Sequence, residues 1–135
     1  MTVPGLMIHR STFDAKQTAD RLVAAIQARG LTLFARVDHA AGATAVGMPL
    51  RPTELLMFGN ARGGTPLMQA AQTIGIDLPL RALVWLDEAG TTWLGINDPA
   101  WLTQRHGIDV AGEGPVAAMR TMLEALAVEA TAAHA

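Results

Sequence analysis

The sequence predicts an α+β domain: a mainly antiparallel sheet with helices packed on one face. Three observations carry this. Apolar–polar alternation recurs in stretches that neighbour one another in the chain, without the long crossover helices that parallel strands need. A hairpin signal joins two of these stretches, 81–86 and 92–96, through Asp87-Glu-Ala-Gly90. Amphipathic helical patterns stand near the start and at the end of the chain.

In order, Leu6 to Arg10 forms a short first strand leading into Ser11-Thr12, one of which is expected to cap the first helix, with Asp14 in its first turn. Ala15, Ala19, Leu22, Val23 and Ile26 share one helical face, and Arg29-Gly30 closes the helix. From Leu31 to Asp38 the chain alternates with period two. Leu31, Leu33, Ala35 and Val37 are expected on one face, and Thr32, Phe34, Arg36 and Asp38 on the other. Residues 39–52 read as a long small-residue connection.

The stretch Pro52 to Pro66 organises the middle of the chain. An apolar strand, Leu55–Phe58, runs into a turn with Gly59, Asn60, Gly63 and Gly64, and Thr65-Pro66 reads as a helix start. A short helix to Ile74 follows, stopped by Gly75, and residues 76–79 read as extended before proline. After the hairpin, Asn97-Asp98-Pro99 starts another short helix carrying Trp101 and Leu102, which Gly107 ends. Gly112 to Pro115 reads as a hinge or cap before the C-terminal helix, 112–131, whose stripe is Val116, Met119, Met122, Leu123, Leu126 and Ala130. The tail to His134 is expected to fray.

Length sets one domain, 1–135, and composition narrows its role. Half of the residues are hydrophobic and 16% are charged, enough to bury a core. A net charge of −2 with a single lysine, Lys16, argues against nucleic acid as a partner. There is no cysteine, so thiolate metal sites and a Cys nucleophile are excluded. No apolar run approaches the ~20 residues of a membrane span, and the N-terminus lacks a signal-peptide pattern. The expectation is a soluble, cytoplasmic protein with no membrane partner. His9, His39, His106 and His134 are dispersed, so no metal and no cofactor is expected.

Several segments together resemble the domain of unknown function 302 family. They are Leu33-Phe-Ala-Arg-Val-Asp-His39, Arg51-Pro-Thr-Glu-Leu-Leu-Met-Phe-Gly-Asn60 and Gly64-Thr-Pro-Leu-Met68. Asp77-Leu-Pro-Leu80 with Val84-Trp85, Asn97-Asp98-Pro99 and Arg105-His106-Gly107 complete the match, over about residues 10–108. Ala61 and Gln72 stand where the family pattern usually has proline. The resemblance implies a TATA-box-binding-protein-like arrangement and dimers, and it implies no reaction.

Candidate site residues come from two places. Arg36, and the pair Asp38-His39 at a strand end, offer charge and a group that titrates near neutrality. The competing structural reading is that Asp38 and His39 satisfy backbone groups where the strand turns. Asn60, Arg62, Gly63, Gly64 and Thr65 form a turn that exposes N–H groups to an anion, or else a plain strand-to-helix turn. Trp85, Trp93 and Trp101 are expected in the core. The preferred reading is a non-enzymatic homodimeric module for a small anionic ligand or a protein partner. The alternative is an enzyme using Asp38-His39 for proton transfer near the glycine-rich loop 59–65.

Overall fold

Five strands form one antiparallel sheet in the order β1-β5-β4-β3-β2, with β1 Leu6–Ser11, β2 Thr32–Asp38, β3 Thr53–Gly59, β4 Leu80–Leu86 and β5 Thr92–Asn97. The computed structural model describes residues 2–109 and 114–132. The hinge assigned to Gly112 and Glu113 and the tail at His134 lie outside the described residues. The arrangement is the α+β class read from the sequence.

Two long helices cover one face of the sheet: α1, Ala15–Ala28, and the C-terminal α5, Gly114–Thr131, which follows the short helices α2 His39–Ala45, α3 Ala61–Ala70 and α4 Pro99–Arg105. The main core is the row Leu56, Phe58, Ala82, Val84, Leu94 and Ile96 from the sheet. Against it pack Ala19, Leu22 and Ile26 from α1 and Leu123, Leu126 and Ala127 from α5. Leu67, Ile74, Leu102, Ile108 and Val116 form a second, smaller core at one end, and Leu78 and Met119 pack against both.

Several local expectations are corrected. Asp14 is itself the N-cap of α1, accepting from the Gln17 N–H in a capping box, while Ser11 stays in β1 and bonds the Thr18 hydroxyl at 2.6 Å. The connection after β2 contains a helix: the Asp38 carboxylate accepts from the Ala41 N–H at 2.9 Å and starts α2. Alanine at four of its seven positions favours helix. A 3-10 helix, Gln72–Asp77, runs through Gly75 and takes in Ile76 and Asp77, which were expected extended, whereas Leu78 before Pro79 is extended as expected.

The largest correction concerns β2. Its register against β3 shifts between Leu33 and Ala35. Leu33 pairs with Phe58 on the helix-covered face, whereas Ala35 and Val37 pair with Met57 and Leu55, whose side chains point the opposite way. The extra residue is Phe34, at a β-bulge that leaves this residue 56% exposed. The regular alternation therefore breaks, and Arg36 returns to the side of α1.

The tryptophans are not core residues. Trp85 and Trp93 pair across the hairpin on the far face of the sheet, and the Trp93 indole N–H donates to Asp87 at 2.8 Å. Trp101 is exposed and lies on Gly5, where a Cβ would overlap its ring.

Phe58 is fully buried at the centre of the main core. Phe58→Ala is expected to cost about 3–5 kcal/mol, the usual range for deleting a buried aromatic, measured by urea denaturation.

Candidate functional site

The turn after β3 is where sequence and structure part most informatively. Helix α3 begins at Ala61, not at Thr65-Pro66: Asn60 is the N-cap, its Oδ1 accepting from the Gly63 N–H at 2.8 Å. The Gly64 N–H donates to the Asn60 carbonyl at 3.2 Å. Pro66 then sits inside the helix, where it has no N–H to donate. The N–H groups that were to converge on an anion are thus spent within the helix, so no backbone nest forms at 63–67. Arg62 is exposed on this first turn.

The same turn does border a cavity of about 790 Å³. Asn60, Ala61, Gly63, Gly64, Thr65 and Met68 from the start of α3 line one side. Pro115, Ala118, Met119 and Met122 of α5 line another. Leu31 and Phe34 enter from β2 and the turn before it, and Gly75, Leu78, Pro79 and Leu80 from the approach to β4. The cavity therefore opens where the two hydrophobic cores meet, at Leu78 and Met119.

Its lining is apolar, with Arg29 and Asn60 as the polar side chains beside the Thr65 hydroxyl. Arg29 is occupied, its guanidinium donating to both carboxylate oxygens of Glu129 at 2.6 and 3.0 Å. Among the described residues, no carboxylate and no imidazole lines the cavity, so these walls supply no general acid or base.

Four of the seven sequence candidates, Asn60, Gly63, Gly64 and Thr65, meet in this cavity. Arg36 does not. It donates to both Glu54 carboxylate oxygens and to Asp20 at 2.7 Å, tying α1 to β2 and β3. The Glu54 hydrogen bond raises its pKa, burial opposes this, and Asp20 adds to the rise. His39 lies in the first turn of α2, at the opposite end of β2 from Phe34, and is not part of the lining. Asp38 is a helix cap. The proton-transfer pair near the 59–65 loop is therefore not assembled.

A cluster that the sequence did not suggest stands beside the cavity. His106 Nε2–H donates to Asp77 at 2.5 Å, and its Nδ1 pairs with the Thr73 hydroxyl at 2.9 Å. Arg105 reaches both Asp77 oxygens at 2.7 Å. Asp77 and His106 are 29 residues apart, a separation that no local spacing rule reads. The cluster latches the 3-10 segment to the C-terminus of α4 and holds Gly75 and Leu78 in the cavity wall. Burial works against ionised Asp77, but the hydrogen bonds from His106 and Arg105 outweigh it and lower the carboxyl's pKa. Among the described residues, no three His, Asp or Glu side chains converge on a metal position.

Antiparallel sheet, two covering helices and a cavity at the α3–α5 border define a small α+β domain. The model of the domain of unknown function DUF302 matches residues 7–126, and the chain belongs to that family. A crystal structure of an uncharacterized conserved DUF302 protein from Bacillus stearothermophilus superposes with a TM-score of 0.81 at 18% identity, over 95% of this chain and 99% of that one. That likeness fixes the fold. The chain is also 47% identical over 117 residues to the fluoride-specific ion channel FluC 1 of Brucella suis biovar 1, covering 87% of this chain and 46% of that protein. FluC 1 of Brucella abortus biovar 1 matches at the same identity over 43% of its length. The chain thus spans less than half of these relatives. Among the described residues, no helix is long and apolar enough to cross a membrane.

The Asp77 latch makes a pH prediction. Because its folded-state pKa is lowered, its stabilisation is present above the unfolded-state value of about 3.9 and is lost as pH falls through the folded value. Asp77→Asn should cost about 1 kcal/mol at neutral pH. The gap between variant and wild type should close in urea titrations run from about pH 5 towards pH 2.

Proposed function

We propose that this domain is a non-enzymatic module that binds a small, largely apolar molecule in the α3–α5 cavity. The observation that carries the reading is the cavity itself. Its volume of about 790 Å³ lies in the range of small-molecule sites, and its lining carries few polar groups. The apolar lining displaces the anion-centred expectation: a carboxylate on the ligand is accommodated near Asn60, while the body of the molecule supplies the affinity. A thermal-shift screen with small aromatic and aliphatic acids tests this. At about 100 times Kd, a bound compound adds about 2.7 kcal/mol of stability. Ala118→Trp, placed on an exposed lining residue, should abolish the shift without lowering the unliganded melting temperature. If no compound shifts the wild type, the reading fails.

The homodimer belongs to the same proposal, and the far face of the sheet is its surface. Leu55, Met57, Leu83, Trp85 and Trp93 stand half-buried there, on the side opposite α1 and α5. Aromatic and methionine side chains on one face suit an interface of the usual ~800 Å² per partner. Leu83→Asp is expected to convert a dimer to monomer in light scattering while the cavity still binds. A wild type that is monomeric at tens of micromolar would remove this part. Arg36, engaged in ion pairs within the chain, is not an informative probe of the interface.

Cytoplasmic placement is part of the reading and rests on the absence of cysteine from the sequence. The channel relatives favour a second element: in them the matched segment would act as an accessory binding module alongside the channel. Fluoride conduction is not carried over to this chain. Titration with sodium fluoride should leave its amide NMR spectrum unchanged, and shifts clustered at the cavity would reverse that view.

A further inference from the structure

We infer that the ligand of the cavity is a planar, ring-containing molecule laid against the bare peptide surface of Gly63 and Gly64 and faced by Phe34. This rests on the cavity-binding reading above.

The usual reasons for glycine are missing at both positions. Neither has a positive φ, so the backbone conformation does not require glycine. Both lie inside α3, where glycine is less favourable than alanine. Packing does not demand it either. A Cβ at Gly64 would meet the Leu78 Cδ1 at 3.5 Å and the Met68 Cε at 3.8 Å, ordinary contacts. At Gly63 it would meet the Asn60 Oδ1 and the Met119 Cε at 3.4 Å. Leu78, Met68, Asn60 and Met119 all line the cavity, so each added methyl would stand among its walls, on the surface that a bound molecule would meet. What the two glycines preserve is close approach to the helix backbone by something outside the chain.

Flatness follows from the shape of that contact. A Cβ stands on the order of 1.5 Å from its Cα, enough to lift a rigid ring off the surface along its whole face. A flexible alkyl chain bends around a single methyl. Phe34 supplies the second element. The β-bulge turns its ring out of the sheet, and the exposed ring lines the same cavity. Aromatic faces favour offset stacking on one another, and the methionine thioethers of the lining favour contact with ring edges.

Two acids with the same carboxylate, 1-naphthoate and decanoate, separate planar from flexible ligands in amide NMR titrations of the full chain. Naphthoate is expected to shift the Phe34, Gly63 and Gly64 amides. Gly64→Ala should weaken naphthoate about tenfold, the scale of a methyl forced into a packed contact, and leave any decanoate binding unchanged. The same variant should melt about 3 °C higher, showing that it is folded. Phe34→Ala should weaken naphthoate alone. If both acids bind equally and Gly64→Ala affects neither, the planar-ligand inference falls while the cavity reading stands. If neither acid shifts the cavity amides, both fall.

Discussion

Everything in this fold depends on covering one face of a five-stranded sheet with only two helices. The covered face offers a row of side chains from Leu56 to Ile96, and α1 and α5 must lie side by side to span it. Small residues allow that approach: Ala19 and Ala25 on α1, Ala127 and Ala130 on α5, all buried in the same core. Polar ties hold the pair. Arg21 donates from its Nη2 to the Glu129 carbonyl at 2.8 Å, satisfying an acceptor in the last turn of α5, and its guanidinium stacks 4.1 Å from the centre of the Phe13 ring. Arg29 reaches the Glu129 carboxylate from the end of α1. The sheet then has a fixed ceiling, and the short elements are left to close its ends.

The cavity is a consequence of that division of labour. The main core is finished by α1 and the second half of α5, while the smaller core belongs to α3, α4 and the first half of α5. Neither core fills the seam between them. A helix built as Ala-Arg-Gly-Gly-Thr-Pro is a poor intrinsic helix former. It persists because Asn60 caps it and Leu67 anchors it in the smaller core. The seam is thus walled by an element whose backbone is unusually bare, next to methionines that can change rotamer at little cost.

The strands, the hairpin and the two long helices were legible because each is written locally: period two at 31–38, an apolar run at 55–58, two strand-like stretches around the turn at 87–90, and a helical stripe at 15–26 and 116–130. What escaped was decided by contacts. The run Leu31, Leu33, Ala35, Val37 alternates without interruption, and only pairing with β3 shows that it changes face at Phe34. Gly63 and Gly64 signalled a turn, yet the Asn60 cap three residues earlier starts a helix through them. Asn60, Gly63, Gly64 and Thr65 were read as a group and do share one cavity, but its apolar walls on α5 and β4 come from distant sequence and were not legible. The Asp77–His106 pair was invisible for the same reason.

The bulge at Phe34 also bears on solubility. β2 is an edge strand, and a straight edge is a template on which another chain can add strand after strand. An extra residue in the middle interrupts the row of outward N–H and C=O groups and twists the strand away from a flat register. Charged groups reinforce the break, with Arg36 and Asp38 following on the same strand. The irregularity that presents an aromatic ring to the cavity thereby guards the open margin of the sheet against amyloid-like growth.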